Sequence, residues 1–363
     1  MSLDNAHNAH NAHNAHNAHN AHAAAAGISP AELALALIQA RDGIVTGAAL
    51  APVAPAAPAL PLADRLRRIE PGFAVAALLS EAAEALVLTP ATDAARDRQT
   101  LGARAADGTA ADLLVLRRPT DADLAAEAQL VAGYADLRAE RLAEIGVQCV
   151  GLMPFFQTIL PLGPCWTPAV AVLAGVAADL ATAMVQRLKL GFALPRPHLL
   201  SPEVQPMIAC PAHGAFPSGH AAQAFALATV LDLLTGEGRA EAGTLREDSQ
   251  LYRMAARIAV NRTVAGVHYP ADSAAGAVLG VTLGRWLAAR GGMRPDCPAL
   301  ALDSAAWGEG APGGSRDFHL PRLVEAMSQG RALRRTGTVA VEAAPLMSAL
   351  WAAAARDWGQ RWS

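Results

Sequence analysis

The stretch Phe216-Pro217-Ser218-Gly219-His220-Ala221-Ala222-Gln223-Ala224-Phe225 sets a short polar turn directly before an alanine-rich run. Alanine has the highest helix propensity, so the run from Ala221 predicts a helix. The turn then places a hydroxyl, a residue without a side chain and unpaired backbone N–H groups at a helix N-terminus, which is a ready site for an anion. Gly219 lets the backbone come close to a ligand. Taken alone, a turn with an N-cap is also the ordinary way to start a helix.

Two further stretches change the weight. One is Lys189-Leu-Gly-Phe-Ala-Leu-Pro-Arg196-Pro197; the other is Asn261-Arg262-Thr-Val-Ala-Gly-Val-His268-Tyr-Pro-Ala-Asp272. Lys189 ends a long, mostly apolar run, and Arg262 follows Ile258, Ala259 and Val260. Cations at the edge of a core need anionic partners, either carboxylates or a bound oxyanion. The planar fork of arginine suits an oxyanion. His268 and Asp272 are four apart with Pro270 between them. If a helix begins there, the carboxylate can accept from one ring N–H and fix the tautomer. The other nitrogen is then left as nucleophile or base.

Composition bounds the rest. The chain has 363 residues, 29 Lys+Arg against 32 Asp+Glu, 53% hydrophobic and 4% aromatic residues. That apolar content can bury a large core and excludes disorder for most of the chain. Near-balanced charge argues against a basic nucleic-acid or membrane-surface protein. The apolar fraction is mostly alanine with few β-branched runs, and no long alternating pattern appears, so the expected fold class is all-α. Cys149, Cys165, Cys210 and Cys297 have no metal-like spacing and are expected as buried free thiols, one disulfide staying open.

Residues 5–22 are six Asn-Ala-His triplets, read as an affinity tag or a low-complexity tail and not as a metal site. No signal peptide is visible. The expected organisation is this tag-like segment within 1–26, an N-terminal helical extension over 27–119, a catalytic helical bundle over 120–300 and a C-terminal helical appendage over 301–363. Within it, Pro30–Arg41 predicts a short helix, 47–61 an extended Ala/Pro linker, and 63–100 one or two amphipathic helices. Thr120 with Asp123 forms a capping box for a long helix reaching Ile145. Ile145 to Ala178 carries no charge but is interrupted by Pro154, Pro161, Pro164 and Pro168. It reads as a buried turn and a core helix running to Lys189 rather than a membrane span. Further helices are expected at 219–235, 247–262, 271–290, 320–329 and 342–360, with a loop from Gly308 to Ser315. Trp351, Trp358 and Trp362 give the last helix a sticky face that packs on its own domain.

Together the three stretches resemble the signature of the type 2 phosphatidic-acid phosphatase (PAP2) superfamily, K-x6-R-P, P-S-G-H and S-R-x5-H-x3-D. That superfamily also holds bacterial class A acid phosphatases and vanadium-dependent haloperoxidases. Ten fixed positions match: Lys189, Arg196, Pro197, Pro217, Ser218, Gly219, His220, Arg262, His268 and Asp272. At about one in twenty per position, chance gives roughly 10⁻¹³ for one placement. One position departs: Asn261 stands where the family usually has Ser.

The resemblance implies a helical bundle with the site at the end of the core helices. Lys189, Arg196 and Arg262 would neutralise an oxyanion, with Ser218 and the Gly219 N–H adding hydrogen bonds. His268 would form a phosphohistidine and Asp272 would orient it. His220 would protonate the leaving alcohol and then activate water. The expected function is thus a metal-independent acid-phosphatase-like hydrolase of phosphate monoesters, needing no cofactor. The alternative is a haloperoxidase with vanadate held at His268. Bromoperoxidases of the superfamily carry a His at the spacing of His213, a candidate substrate or halide modulator. His198 is a candidate rim residue, and His319 is expected at the surface. A second alternative is a membrane-associated lipid phosphatase. Expected partners are a small phosphorylated substrate or phosphate, with no nucleic acid and no membrane; oligomerisation stays open. The expected setting is soluble, in a bacterial-type cytoplasm or periplasm.

Overall fold

The computed structural model of the chain describes residues 29–44, 60–104, 109–236, 239 and 241–362. The Asn-Ala-His repeat and most of the Ala/Pro linker lie outside these. The chain divides into two compact units, residues 1–77 and 78–363. In the first lie helices α1 (Pro30–Ile44) and α2 (Leu62–Arg68), and α3 (Pro71–Glu84) begins there. No residue of α2 is buried, and Leu35, Leu37 and Ile38 of α1 are exposed.

The second unit is built on four helices: α7 (Pro168–Phe192), α9 (Gly219–Thr235), α10 (Gln250–Val264) and α11 (Pro270–Arg290). The central pair is α9 against α11. Helix α11 is buried along almost its whole length, and apart from Asp272, Arg285 and Arg290 its sequence is apolar or small, as an enclosed helix requires. Gly276, Gly280 and Gly284 recur every fourth residue and so share one face. A Cβ on Gly280 would overlap the carbonyl oxygen of Ala222, and one on Gly276 would overlap that of Ser218. The glycines therefore let two helix backbones approach closely, from the polar turn before α9 onward. There the Ser218 N–H donates to the Asp272 carbonyl (2.9 Å), tying the first turns of α9 and α11 together.

The capping box at Thr120 is present. Thr120 Oγ1 accepts from the Asp123 N–H (3.2 Å), and Asp123 Oδ2 accepts from the Thr120 N–H (2.8 Å). The helix it starts, α4 (Asp121–Gly133), does not run through to Ile145. A 3-10 turn at Tyr134–Leu137 separates it from α5 (Arg138–Gln148). Short α6 (Met153–Gln157) and α8 (Pro197–Leu200) flank α7. Among the described residues, Pro168–Leu200 is the one stretch long and apolar enough to cross a membrane, and half of its most apolar window is buried against the rest of the protein.

The all-α expectation is corrected by a five-stranded mixed sheet. Strands β1 (Leu86–Leu88), β2 (Arg98–Arg104), β3 (Ala110–Arg117), β4 (Asp296–Asp303) and β5 (Leu333–Ala340) lie in that order. Neighbours are antiparallel except β3 and β4, which run parallel, with Leu114 opposite Leu300 and Leu116 opposite Leu302. The sheet thus joins sequence expected as a helical extension to sequence expected as a helical appendage. The physical reason for the error is legible. β3 (AADLLVLR) and β4 (DCPALALD) bury residues on both faces, so they read as Leu/Ala runs without alternation. Leu and Ala are good helix formers, and tertiary pairing overrides that preference.

The last two helices, α12 (Leu320–Gln329) and α13 (Pro345–Gln360), follow the expected spans closely. Trp351 is buried, its indole N–H donating to the Leu287 carbonyl of α11 (3.0 Å), while Trp362 stays exposed. The cysteines are all free, but only Cys297 is buried. Cys149 and Cys165 are exposed and Cys210 is half-buried, which corrects the expectation of buried thiols. Cys149 and Cys165 flank the irregular run between α5 and α7, where short turns leave side chains outside the core.

Candidate active site

The three cationic stretches converge at one end of the four-helix core. Helix α7 stops at Ala193, which adopts a left-handed φ of 50° while Pro195 and Pro197 prevent continuation. Lys189 therefore sits in the last turn, where the negative end of the helix dipole favours an ammonium group. It is buried, and its Nζ donates to the carbonyls of Gly214 (2.6 Å) and Ala215 (2.7 Å). Burial and the neighbouring Arg196 pull its pKa down.

Arg196 is the hub. It is buried, and donates through Nε to the His213 carbonyl (3.1 Å) and through Nη1 to the Val267 carbonyl (2.7 Å). Its Nη2 lies 3.2 Å from His213 Nδ1, and its Nη1 lies 3.4 Å from His268 Nε2. A guanidinium only donates, so His268 Nε2 must present its lone pair to it, whereas His213 Nδ1 also faces the Gly214 carbonyl at 3.2 Å.

That fixes the His268 tautomer. Its Nδ1 is 2.9 Å from Asp272 Oδ2 and carries the proton, while Nε2 faces the cations with its lone pair. The pair comes from local structure. Asp272 is the third residue of α11, and its Oδ2 also accepts from the Tyr269 N–H (3.0 Å) at the N-cap. Helix start, capping contact and imidazole orientation are thus one arrangement. Burial raises the Asp272 pKa, and Lys189, the Tyr269 N–H and Arg196 oppose this. Burial, together with Arg196 and Lys189, pushes the His268 pKa well below its ordinary value.

Ser218 and His220 approach from α9. The Phe216–Pro217 peptide is cis. Ser218 Oγ caps its own helix by accepting from the Ala221 N–H (3.4 Å), and the side chain is fully buried. The first N–H groups of α9, beginning at Gly219, have no intrahelical carbonyl within reach. His220 Nε2 lies 3.2 Å from the Gln148 carbonyl, which can only accept, so the Nε2 proton points there. Burial and Arg262 push the His220 pKa down to about 3, and burial and Lys189 push that of His213 down to about 4. Arg262, from the last turn of α10, is buried with its Nη2 donating to Gln148 Oε1 (2.7 Å) and Nη1 3.5 Å from Cys149 Sγ; its Nε has no partner.

A pocket of about 550 Å³ opens beside this cluster, lined by Lys189, Arg196, His198, Cys210 and His213 among others. Arg196 belongs to both the pocket wall and the His268 contact. His198 faces the pocket with its Nδ1 3.3 Å from Cys210 Sγ, and His319 is exposed at the cap of α12, away from the cluster. Among the described residues no group of three or more His, Cys, Asp and Glu could hold a metal ion.

Two contributors escaped the sequence reading. Gln148 touches both Arg262 and His220, and its only sequence signal is a polar residue in an uncharged run. Glu127 of α4 is fully buried; its Oε2 accepts from the Ala271 N–H (2.9 Å) and its Oε1 from Arg316 Nε (2.8 Å). It thereby serves an otherwise unpaired N–H in the first turn of α11, next to Asp272. Burial raises its pKa to about 8 against the pull of Arg316. Nothing local in the sequence marks it.

The site is therefore a cationic cradle around one oriented imidazole. No curated protein matches this chain. Residues 168–295, which contain every one of the motif positions from Lys189 to Asp272, match the family model described as PAP2 superfamily.

Proposed function

We propose that the protein is a metal-independent phosphatase that cleaves phosphate monoesters through a phosphohistidine. The superfamily supports a phosphatase-type or haloperoxidase-like activity. The observation that carries the finer reading is His268, held by Asp272 at 2.9 Å with Nε2 turned toward the cations.

In this reading Lys189, Arg196 and Arg262 receive the phosphoryl oxygens, with Ser218 and the Gly219 N–H adding donors. His268 Nε2 attacks phosphorus, the P–O bond to the alcohol breaks, and the alkoxide leaves with a proton from His220. Asp272 stabilises the charge that grows on the His268 ring. In the second step His220 takes a proton from water, the hydroxide attacks phosphorus, and the P–N bond breaks to release phosphate and neutral His268. A His220 depressed to about 3 is by itself a poor proton store. A bound dianion offsets the Arg262 charge and raises that pKa, so substrate itself arms the acid.

The test is hydrolysis of a chromogenic aryl phosphate with EDTA, with micromolar vanadate and with His268→Ala. Chelator-resistant turnover, abolished by vanadate and by the substitution, is the expected result; no turnover overturns the reading.

A second reading has one observation in its favour. His213, the position at which bromoperoxidases of the superfamily carry His, lies on the pocket wall 3.2 Å from Arg196. The donor set suits vanadate as well as phosphate, with His268 Nε2 as ligand and the three cations around its oxygens. Vanadate would supply the capacity to activate peroxide. Bromide oxidation by vanadate-loaded protein, lost in His213→Ala, would favour this reading.

A further inference from the structure

We infer that Gln148 is a positioning residue that holds Arg262 and His220 in register for the oxyanion, and that Asn261 locks it in place. The inference rests on the phosphate-site reading above.

Gln148 is the last residue of α5, outside the segment that matches the superfamily, and it is buried. Both of its oxygens are committed. Oε1 accepts from Arg262 Nη2 (2.7 Å) and Asn261 Nδ2 (3.2 Å), and the main-chain oxygen accepts from His220 Nε2 (3.2 Å). The main-chain oxygen is one of the terminal carbonyls that a helix leaves without an internal partner. The negative end of α5 therefore faces two basic groups.

The amide cannot turn over. Its Nε2 donates to Glu144 Oε1 (3.2 Å), and a carboxylate accepts only. Glu144 is held in turn by Arg257 through two contacts of 2.8 Å. Asn261 donates to Glu144 (2.9 Å) as well as to Gln148, and its own Oδ1 accepts from Arg141 (3.1 Å). Here the departure from the family's Ser has a physical meaning. A serine hydroxyl has one proton and a shorter reach, so it could not serve both Glu144 and Gln148. The chain thus carries Asn beside Arg262 together with the α5 residues that Asn engages.

The orientation of a planar guanidinium is set by whatever its donors grip. Without Gln148 Oε1, Arg262 Nη2 is buried and unpaired beside Glu144, and the group turns toward that carboxylate. Oxyanion binding should suffer more than packing does.

The experiment measures aryl phosphate kinetics, vanadate inhibition and calorimetric sulfate binding for the whole protein and for Gln148→Leu, Gln148→Glu and Asn261→Ser, with melting curves for each. In Gln148→Leu the vanadate inhibition constant and KM are expected to rise about tenfold, equivalent to about 1.4 kcal/mol of binding. Asn261→Ser should show the same change at smaller size. Gln148→Glu decides the matter even if the Leu variant does not fold. Protonated, its carboxyl can donate to Glu144 and accept from Arg262 as the amide does. Ionised, it pairs with Arg262 and competes with the oxyanion. Its sulfate affinity should approach that of the unmodified protein at low pH and fall away more steeply than the parent's own profile as pH rises. Parallel profiles in the parent and Gln148→Glu, with vanadate inhibition within about twofold in any folded Leu variant, overturn the positioning role. Failure of the unmodified protein to bind sulfate or vanadate at all overturns the oxyanion site, and this inference with it.

Discussion

A proton balance at single residues gives the first prediction. Burial and the surrounding cations push His213 down to about 4 and His220 down to about 3, because they disfavour a further positive charge. Burial and the adjacent Arg196 likewise lower the Lys189 pKa. An anion in the cradle raises the pKa of every one of these groups, so binding takes up protons and affinity rises as pH falls. Sulfate is the cleanest probe, because it stays a dianion through this range and brings no titration of its own. Calorimetry of sulfate binding at pH 5 to 7, in two buffers of different ionisation enthalpy, should show net proton uptake and tighter binding at the acid end. Proton release, or affinity independent of pH, would contradict the electrostatics. A companion test concerns the His268 tautomer. Asp272→Asn keeps the shape but replaces the acceptor facing Nδ1 with a group that can present N–H, so turnover should fall by about 10²–10⁴ with KM little changed. The histidine–aspartate pair could be read from a four-residue spacing, since the fold need supply only one helix start. Gln148 could not, because its partners Asn261 and Arg262 lie 113 and 114 positions away and only tertiary structure brings them close.

Among the elements, the α9–α11 contact places the turn at Ser218 against the turn at Asp272, and glycines set its spacing. Gly280→Ala would push a methyl group into the Ala222 carbonyl, with the Ala226 nitrogen 2.8 Å and Phe225 Cβ 2.9 Å away. Those neighbours are mostly backbone and cannot swing aside. The expected cost is about 1–3 kcal/mol, a drop of several degrees in melting temperature. Activity should fall further than stability implies, because the helices that separate start at Ser218 and just after His268. Gly359→Ala is the contrasting case. Nothing lies within 4 Å of the new Cβ, so the change should be neutral or slightly stabilising. Helices were the readable elements of this sequence, since capping boxes, prolines at first turns and alanine runs act locally. The strands were not. β2 carries Gly102 at a register shift and β3 and β4 are enclosed on both faces, so neither shows the period-two signature of a half-exposed strand.

For the molecule as a whole, the sheet predicts that residues 120–300 do not fold alone. The motif-bearing helices look complete in sequence, but their outer faces are covered by chain from both sides of that span. Trp286 of α11 is buried with its indole N–H on the Ala82 carbonyl (2.9 Å), and Trp351 of α13 buries against the same helix. Strand β4 pairs with β3 on one side and β5 on the other, and β3 lies before residue 120 while β5 lies beyond residue 300. Arg316 reaches back to Glu127, which holds the first turn of α11. A chain cut to 120–300 would expose Trp286, the Leu and Ala faces of α11 and an unpaired strand end. Each large side chain uncovered costs about 1.5–3 kcal/mol against a total stability of about 5–15 kcal/mol, so four or five such losses are enough to unfold it. The expected result is that the 120–300 fragment shows no cooperative thermal transition and aggregates, while the full chain melts cooperatively. A fragment that melted cooperatively and bound sulfate as the full chain does would show that the helical core carries its own stability and that the sheet is an addition to it.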